Sequence, residues 1–152
     1  YPLIDAAMSE LYETGYMHNR ARMIVASFLT KDLHIHWLEG AKWFKYCLLD
    51  ADIASNYASW QWVAGSGADA MPYYRIFNPL TQSNRFDKEA KYIKKWCKTL
   101  TKIPAKEIHA PWLIDRIKQK EYEVNIGDNY PSPIVNHDWE RKDSLERYNK
   151  IK

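Results

Sequence analysis

Leu49-Asp50-Ala51-Asp52-Ile53-Ala54-Ser55-Asn56-Tyr57-Ala58-Ser59-Trp60-Gln61-Trp62 is the densest run of polar and aromatic side chains in the sequence. Asp52 stands where an N-cap belongs, and a helix is predicted from about Ile53 to Gly65. Two carboxylates at its mouth suit the positive end of the helix dipole, and read alone plain capping is the simpler explanation. Asn56 and Trp60 are four apart and share a helix face, so an amide and an indole can line one pocket. Trp60 and Trp62 point away from each other, which allows one to face a core and the other a cleft.

Helical periodicity continues on both sides of this run. Leu3, Ile4, Ala7, Met8 and Leu11 form an apolar stripe, with Pro2 in the first turn and Gly15 at the stop. A second helix is predicted from Met17 to Thr30, broken by Lys31-Asp32, and a third from Glu39 to Leu49. Asn19 and Met23 lie on one face of the second helix. Arg22, beside its apolar stripe, needs a carboxylate if the helix is mainly buried, and Asp50 is a candidate; a solvated Arg with a snorkelling stem is the alternative. Gly65-Ser66-Gly67, Pro72 and Asn78-Pro79 mark a long irregular stretch. Asp87 is expected to cap a basic helix to about Lys98, with Ala90, Ile93 and Cys97 inward. Short helical turns near Ala105 and from Pro111 to Lys118 follow, then an extended Asn129–Pro133 segment and a polar helix from His137 to Lys150. No segment alternates with period two. The expectation is an all-α helical bundle, residues 1–152 forming a single helical domain.

Composition narrows the classes. The chain has 152 residues, 46% hydrophobic and 27% charged, enough for one soluble globular core. No apolar run approaches the roughly 20 residues of a membrane span. A net charge of +3 says little about partners, but seven Trp among 14% aromatics raise the prospect of a stacking site for a planar ligand or bases. Cys47 and Cys97, without a CxxC, read as reduced thiols of a cytosolic protein. His34-x-His36 has no Cys, Asp or Glu at ligand spacing in the sequence, so no metal site is expected. Gly65-x-Gly67 follows a helix and is not a dinucleotide loop. The lysines from Lys88 to Lys106 read as a solvated face. From the residues alone the reading stops at a helical domain with an aromatic pocket.

Several blocks are more specific. Tyr16-Met17-His18-Asn19-Arg20-Ala21-Arg22-Met23, Ser27-Phe28-Leu29-Thr30-Lys31-Asp32-Leu33, Trp37 with Glu39-Gly40, Asp50-Ala51-Asp52, Asn56 to Trp62, and Tyr74-Arg75-Ile76-Phe77-Asn78-Pro79 stand in a fixed order and spacing. Together they resemble the C-terminal half of the FAD-binding domain of the DNA photolyase/cryptochrome family, most like its class I cyclobutane pyrimidine dimer photolyases. The likeness weakens after about Glu121.

The resemblance implies an all-helical domain holding FAD in a folded conformation. It gives Asn56 a contact to the flavin N5 edge, and Asp50, Asp52 and Asn19 contacts to the cofactor. Arg22, paired with Asp50, would set a positive field beside a reduced flavin. Asn19, Met23 and Trp62 match positions lining the cavity for a flipped-out dimer, and Arg20 and Arg75 match rim positions that hold phosphates. Trp60 and Trp37 match the inner members of the tryptophan chain that reduces the flavin in light; core packing is compatible with that role. Plant cryptochromes carry Asp at the place of Asn56, where an acid can give the flavin a proton and an amide cannot readily do so. Met17-His18-Asn19 and Met23 stand where photolyases of the six-four class have a His-rich motif, and Trp62 where the DASH group has Tyr. Tyr16, Ala51 and Tyr57-Ala58-Ser59 depart from the usual Trp, Gly and Asn-Gly-Gly.

The implied activity is that of a carbon–carbon lyase: light-driven electron transfer from reduced FAD to a cyclobutane dimer in damaged DNA, with no membrane partner and a cytoplasmic location. The alternative is a cryptochrome-like photoreceptor without repair activity. The sequence lacks a starting Met and is already helical by Leu3. The resemblance implies an N-terminal antenna domain with its chromophore, and the first half of the flavin domain, in a longer parent. The fragment alone is expected to be inactive, to hold FAD weakly and to bury its open half-core by self-association.

Overall fold

A computed structural model of the chain describes residues 1–68 and 74–151. Its helices are α1 (Pro2–Thr14), α2 (Asn19–Ser27), α3 (Trp37–Cys47), α4 (Ile53–Ala64), α5 (Pro79–Phe86), α6 (Lys91–Trp96), α7 (Arg116–Glu121) and α8 (His137–Ile151). Among the described residues there is no strand beyond one isolated bridge between Ile126 and Tyr130. None of the described helices is long and apolar enough to cross a membrane.

The helix ends follow local chemistry. Pro2 opens α1, and Gly15 closes it at φ 68°, its N–H donating to Leu11 O at 2.9 Å. A Cβ on Gly15 would stand 2.7 Å from Leu49 Cγ, and the Leu49 N–H donates to Gly15 O at 2.9 Å. The end of α1 is thereby stitched to the residues that lead into α4. Imidazole Nδ1 atoms cap α2 and α3, His18 accepting from Arg20 N and His36 from Leu38 N. Asp52 Oδ1 caps α4, accepting from Ser55 N at 2.7 Å.

α1 separates two cores. Leu3, Ile4, Ala7 and Leu11 face one with Met17, Ile24, Val25, Phe28, Phe44, Trp60, Val63 and Phe77. Ala6 faces the other, with Ala90, Ile93, Leu100, Ile103, Ile108, Val124 and Tyr130. The inward direction expected of Ala90, Ile93 and Cys97 is observed.

Four expectations need correction. Lys31-Asp32 does not break the second helix: α2 continues through both residues as a π-helical turn, Phe28–Asp32, and both are 1% exposed. Lys31 Nζ donates to Arg75 O and lies 4.2 Å from the Tyr74 ring centroid, and Asp32 pairs with His137 at the head of α8. Partners distant in sequence let both charges be buried. The irregular stretch ends sooner than expected, because Asn78 Oδ1 accepts from Thr81 N and Pro79 opens α5; Pro72 lies outside the described residues. The basic helix is shorter than expected. Asp87 caps it from a distance, accepting from Tyr92 N and Ile93 N at 3.0 and 2.9 Å, because Ala90 turns the chain through the left-handed region at φ 57°. The third helix runs Trp37–Cys47, two residues earlier at each end than read. The helix His137–Lys150 is present, extended to Ile151, and its buried His137 and Ser144 make it less uniformly solvated than its composition implies.

Candidate functional site

A cavity of about 280 Å³ opens where α2, α3 and α4 meet the segment from Leu48 to Asp52. Its floor is apolar: Ala26 from α2, Phe44 from α3, Leu48, and Trp60 with Val63 from α4. Its rim is polar: Asn19 and Arg22 from α2, Asp50 and Asp52, then Ser55, Asn56 and Ser59 from α4.

Arg22 is held at three points. Its Nε donates to Met17 O at 2.6 Å, and Nη2 donates to both oxygens of Asp50, at 3.0 and 2.8 Å. Asp50 is thus the partner that Arg22 was expected to need. The Asp50 side chain is 55% exposed and that of Arg22 26%, so this is a rim pair rather than a buried one. Asp52's carboxyl is held below the ordinary carboxylate range by the Ser55 backbone N–H.

Asn56 is oriented from behind. Its Nδ2 donates to Ala41 O at 2.8 Å across the α3–α4 packing. A carbonyl can only accept, so the amide nitrogen must face α3, and Oδ1 is left as an acceptor on the cavity side. One turn later, Trp60 is 3% exposed and lies edge-on to Phe44, ring centroids 4.9 Å apart. Gly40 makes room for it: a Cβ there would sit 2.1 Å from the indole Cη2.

The cavity therefore gathers Asn19, Arg22, Met23, Asp50, Asp52, Asn56 and Trp60. The other predicted site residues lie elsewhere. Trp62 is half-buried against the first core. Trp37 sits edge-on to Tyr57 at 6.0 Å and lines a second, wider cavity of about 620 Å³. The Arg20 guanidinium stands 5.0 Å from the Phe86 ring, and Arg75 is exposed, 5.9 Å from the ring of Phe77. The sequence reading gave no role to Gly40, Phe44, Leu48, Ser55 or Ser59. Gly40, four residues before Phe44 in α3, shows its role only where Trp60 packs on it. His36 is absorbed as the cap of α3, whereas His34 faces acidic side chains of α8.

In chemical terms this is an open half-pocket for a planar, partly polar ring. It has an aromatic and aliphatic floor, one fixed acceptor, and a guanidinium whose charge is largely balanced by a carboxylate. At about 280 Å³ it falls just under the usual range for small-molecule sites, enough for a ring system and too small for a dinucleotide. An isoalloxazine fits this donor set and shape.

Comparison with known proteins agrees with that class. Residues 1–150 match the family described as the FAD binding domain of DNA photolyase, and the chain belongs to this family. It is 49% identical, over all of its 152 residues, to a deoxyribodipyrimidine photo-lyase of Agrobacterium fabrum, of which it covers 32%. A crystal structure of a class III photolyase from Agrobacterium tumefaciens superposes with a TM-score of 0.93 at 49% identity, over 99% of this chain and 31% of that one. A Synechocystis cryptochrome gives 0.91 at 43% identity, over 96% and 30%. The chain spans less than a third of the length of these relatives.

Proposed function

We propose that this chain is the C-terminal part of the flavin-binding domain of a deoxyribodipyrimidine photolyase. Its parent would repair cyclobutane pyrimidine dimers in DNA by light-driven electron transfer. The observation that carries this reading is the amide of Asn56, locked by Ala41 O so that an acceptor faces the cavity between Arg22 and Trp60. FAD, when bound, would supply the photochemistry, light-driven electron donation to the dimer.

The residues of this chain bind, orient and shield. The apolar floor would exclude water from one face of a bound ring, and Asn56 Oδ1 would accept from the flavin N5 edge. A fixed acceptor that holds no acidic proton leaves the protonation of the ring unchanged. Arg22 offers a positive field at the rim, while its bond to Met17 O keeps the guanidinium in place as Asp50 balances its charge. Asp52 and Asn19 add polar contacts to the cofactor. Trp60 and Trp37 relay an electron inward, Trp60 lying at the cavity wall and Trp37 nearer the outside. Met23 and Trp62 meet the flipped-out dimer, and Arg20 and Arg75 hold phosphates at its rim. This activity would place the parent with intracellular DNA. An antenna chromophore would belong to a separate domain of the parent.

By itself the half-pocket would retain FAD poorly. Trp43, Tyr46, Leu49 and Ile53 are exposed on the flank of α3 and α4 and favour self-association of the isolated chain. The test is the absorption spectrum of the purified chain and of its full-length parent after incubation with FAD, followed by dimer repair in light. Flavin retention and repair by the parent are expected, and a parent that holds no flavin would sink the proposal. The 43% identity to a cryptochrome favours a second reading, a flavin photoreceptor without repair. A parent that binds flavin and leaves dimers intact would select it.

A further inference from the structure

His34, Glu140 and Asp143 converge outside the cavity described above. His34 lies between the π-helical turn and α3, and the two acids lie one turn apart on the same face of α8. His34 Nε2 is 2.8 Å from Glu140 Oε2 and 3.3 Å from Asp143 Oδ2, and one ligand atom from each residue lies within 4.8 Å of the others. All three side chains are partly buried.

We propose that these three residues form a divalent transition-metal site, of zinc type, that ties α8 to the loop entering α3. The donor set is one imidazole nitrogen and two carboxylate oxygens; zinc binds ligands of both kinds, and three protein ligands leave it an open position. Bonds of about 2.0–2.2 Å at tetrahedral angles require ligand atoms roughly 3.3 Å apart. The two separations from His34 Nε2 are already within about half an ångström of that. The metal would take the place of the proton that His34 shares with the acids, and its two charges match the two carboxylates. A carboxylate three residues from a second ligand on one helix is an arrangement that helical metal proteins use.

The neighbourhood supplies the remaining parts. The wider cavity, lined by His34, His36, Trp37 and Thr30, gives a water or a small anion access to a fourth position. Arg147 Nε bonds Asp143 Oδ2 at 2.7 Å, so the metal competes for that oxygen. The affinity should therefore be lower than that of a closed four-ligand site. The helix that carries both acids is also anchored by the Asp32–His137 pair, so the site closes a second clamp on an element already seated. This inference stands independently of the flavin reading.

The experiment is a titration of the tag-free chain with Co²⁺, followed by its visible d–d absorption and then by displacement with Zn²⁺. Thermal unfolding is measured with and without Zn²⁺. The variants are Glu140→Gln, which keeps a hydrogen-bonding partner for His34, and His34→Asn, since asparagine tolerates the left-handed backbone at φ 52°. Circular dichroism checks that both fold. Expected are one saturable equivalent, a rise in melting temperature with Zn²⁺, and at least about tenfold weaker binding in each variant. No saturable binding by the unaltered chain, or undiminished affinity in either folded variant, would overturn the proposal.

Discussion

Gly40→Ala should destabilise the chain, although alanine is the better helix former. Gly40 lies inside α3, where the exchange by itself would gain up to about 1 kcal/mol of helix propensity. The new Cβ would meet indole carbons of Trp60 at 2.1, 2.4 and 2.6 Å. Carbon pairs pack at about 3.5–4.0 Å, so the ring must retreat by more than 1 Å. An indole has two torsions, and Phe44 already stands against it at 4.9 Å, so the movement must be shared with α4. Overpacking of this kind costs about 1–3 kcal/mol, and three close contacts argue for the upper end. The net expectation is a loss of about 2 kcal/mol, or roughly 4–8 °C in melting temperature for a chain of this size.

Urea and thermal unfolding measure this directly, and a cycle with Trp60→Phe isolates its cause. The smaller ring removes the clashing carbons. In that background Gly40→Ala should be neutral or stabilising, giving a coupling of about 2 kcal/mol. A rise in melting temperature on Gly40→Ala alone would refute the reasoning, as would an equal loss in both backgrounds. Because Trp60 also walls the cavity, the parent carrying Gly40→Ala should retain less flavin.

Other consequences can be checked in the same way. Asp32→Ala leaves the His137 imidazole buried without its partner and should cost about 3 kcal/mol in urea unfolding; a change below about 1 kcal/mol would argue against that pair. Burial, then the nearby Arg75 charge, pushes the Lys31 ammonium down to about 8, from 10.5. Above pH 8 the unfolded chain therefore binds the extra proton, and stability should rise with pH. Burial raises the Cys97 thiol from 9.0 to about 12, so above pH 9 the unfolded chain loses that proton first, which offsets the Lys31 gain and levels the trend. Denaturation between about pH 8 and 9 should show a gain on the order of 1 kcal/mol that is absent in Lys31→Met. Asn56→Asp places a carboxyl against Ala41 O, where only its protonated form can donate. The variant's folded carboxyl should hold its proton to higher pH than its unfolded one. The variant should be about 1–3 kcal/mol less stable than the unaltered chain at pH 7, with the gap closing toward pH 4, and a pH-independent gap would reject the assigned amide orientation.

What the sequence determined by itself was local. Pro2 and Gly15 bound α1 because a fixed φ and a left-handed φ are needed there. Asp52 caps α4, and Asn56 with Trp60 share a face, because helical geometry follows from spacing alone. The conjunction Asn78-Pro79 carried the start of α5 and was readable by the same rules, although the surrounding Gly and Pro residues masked it. Beyond that local range the sequence offered only a candidate, Asp50 for Arg22, 28 positions away, from the cost of an isolated charge, and the structure supplies the bond.

The tertiary structure decided what depends on partners distant in sequence. Lys31-Asp32 looks like a solvated break until the carbonyl of Arg75 and the ring of His137, from segments 44 and 105 residues on, receive both charges. His34 meets Glu140, 106 positions away, and Asp143 on the same helix, because α8 returns across the π-helical turn. Which atom of Asn56 faces the cavity follows from the Ala41 carbonyl on another helix. Gly40 shows its importance only once Trp60 lies on it. Periodicity and capping are short-range, set by the backbone within a turn or two; burial of charge, orientation of an amide and room for a ring are set by whatever the fold brings against them.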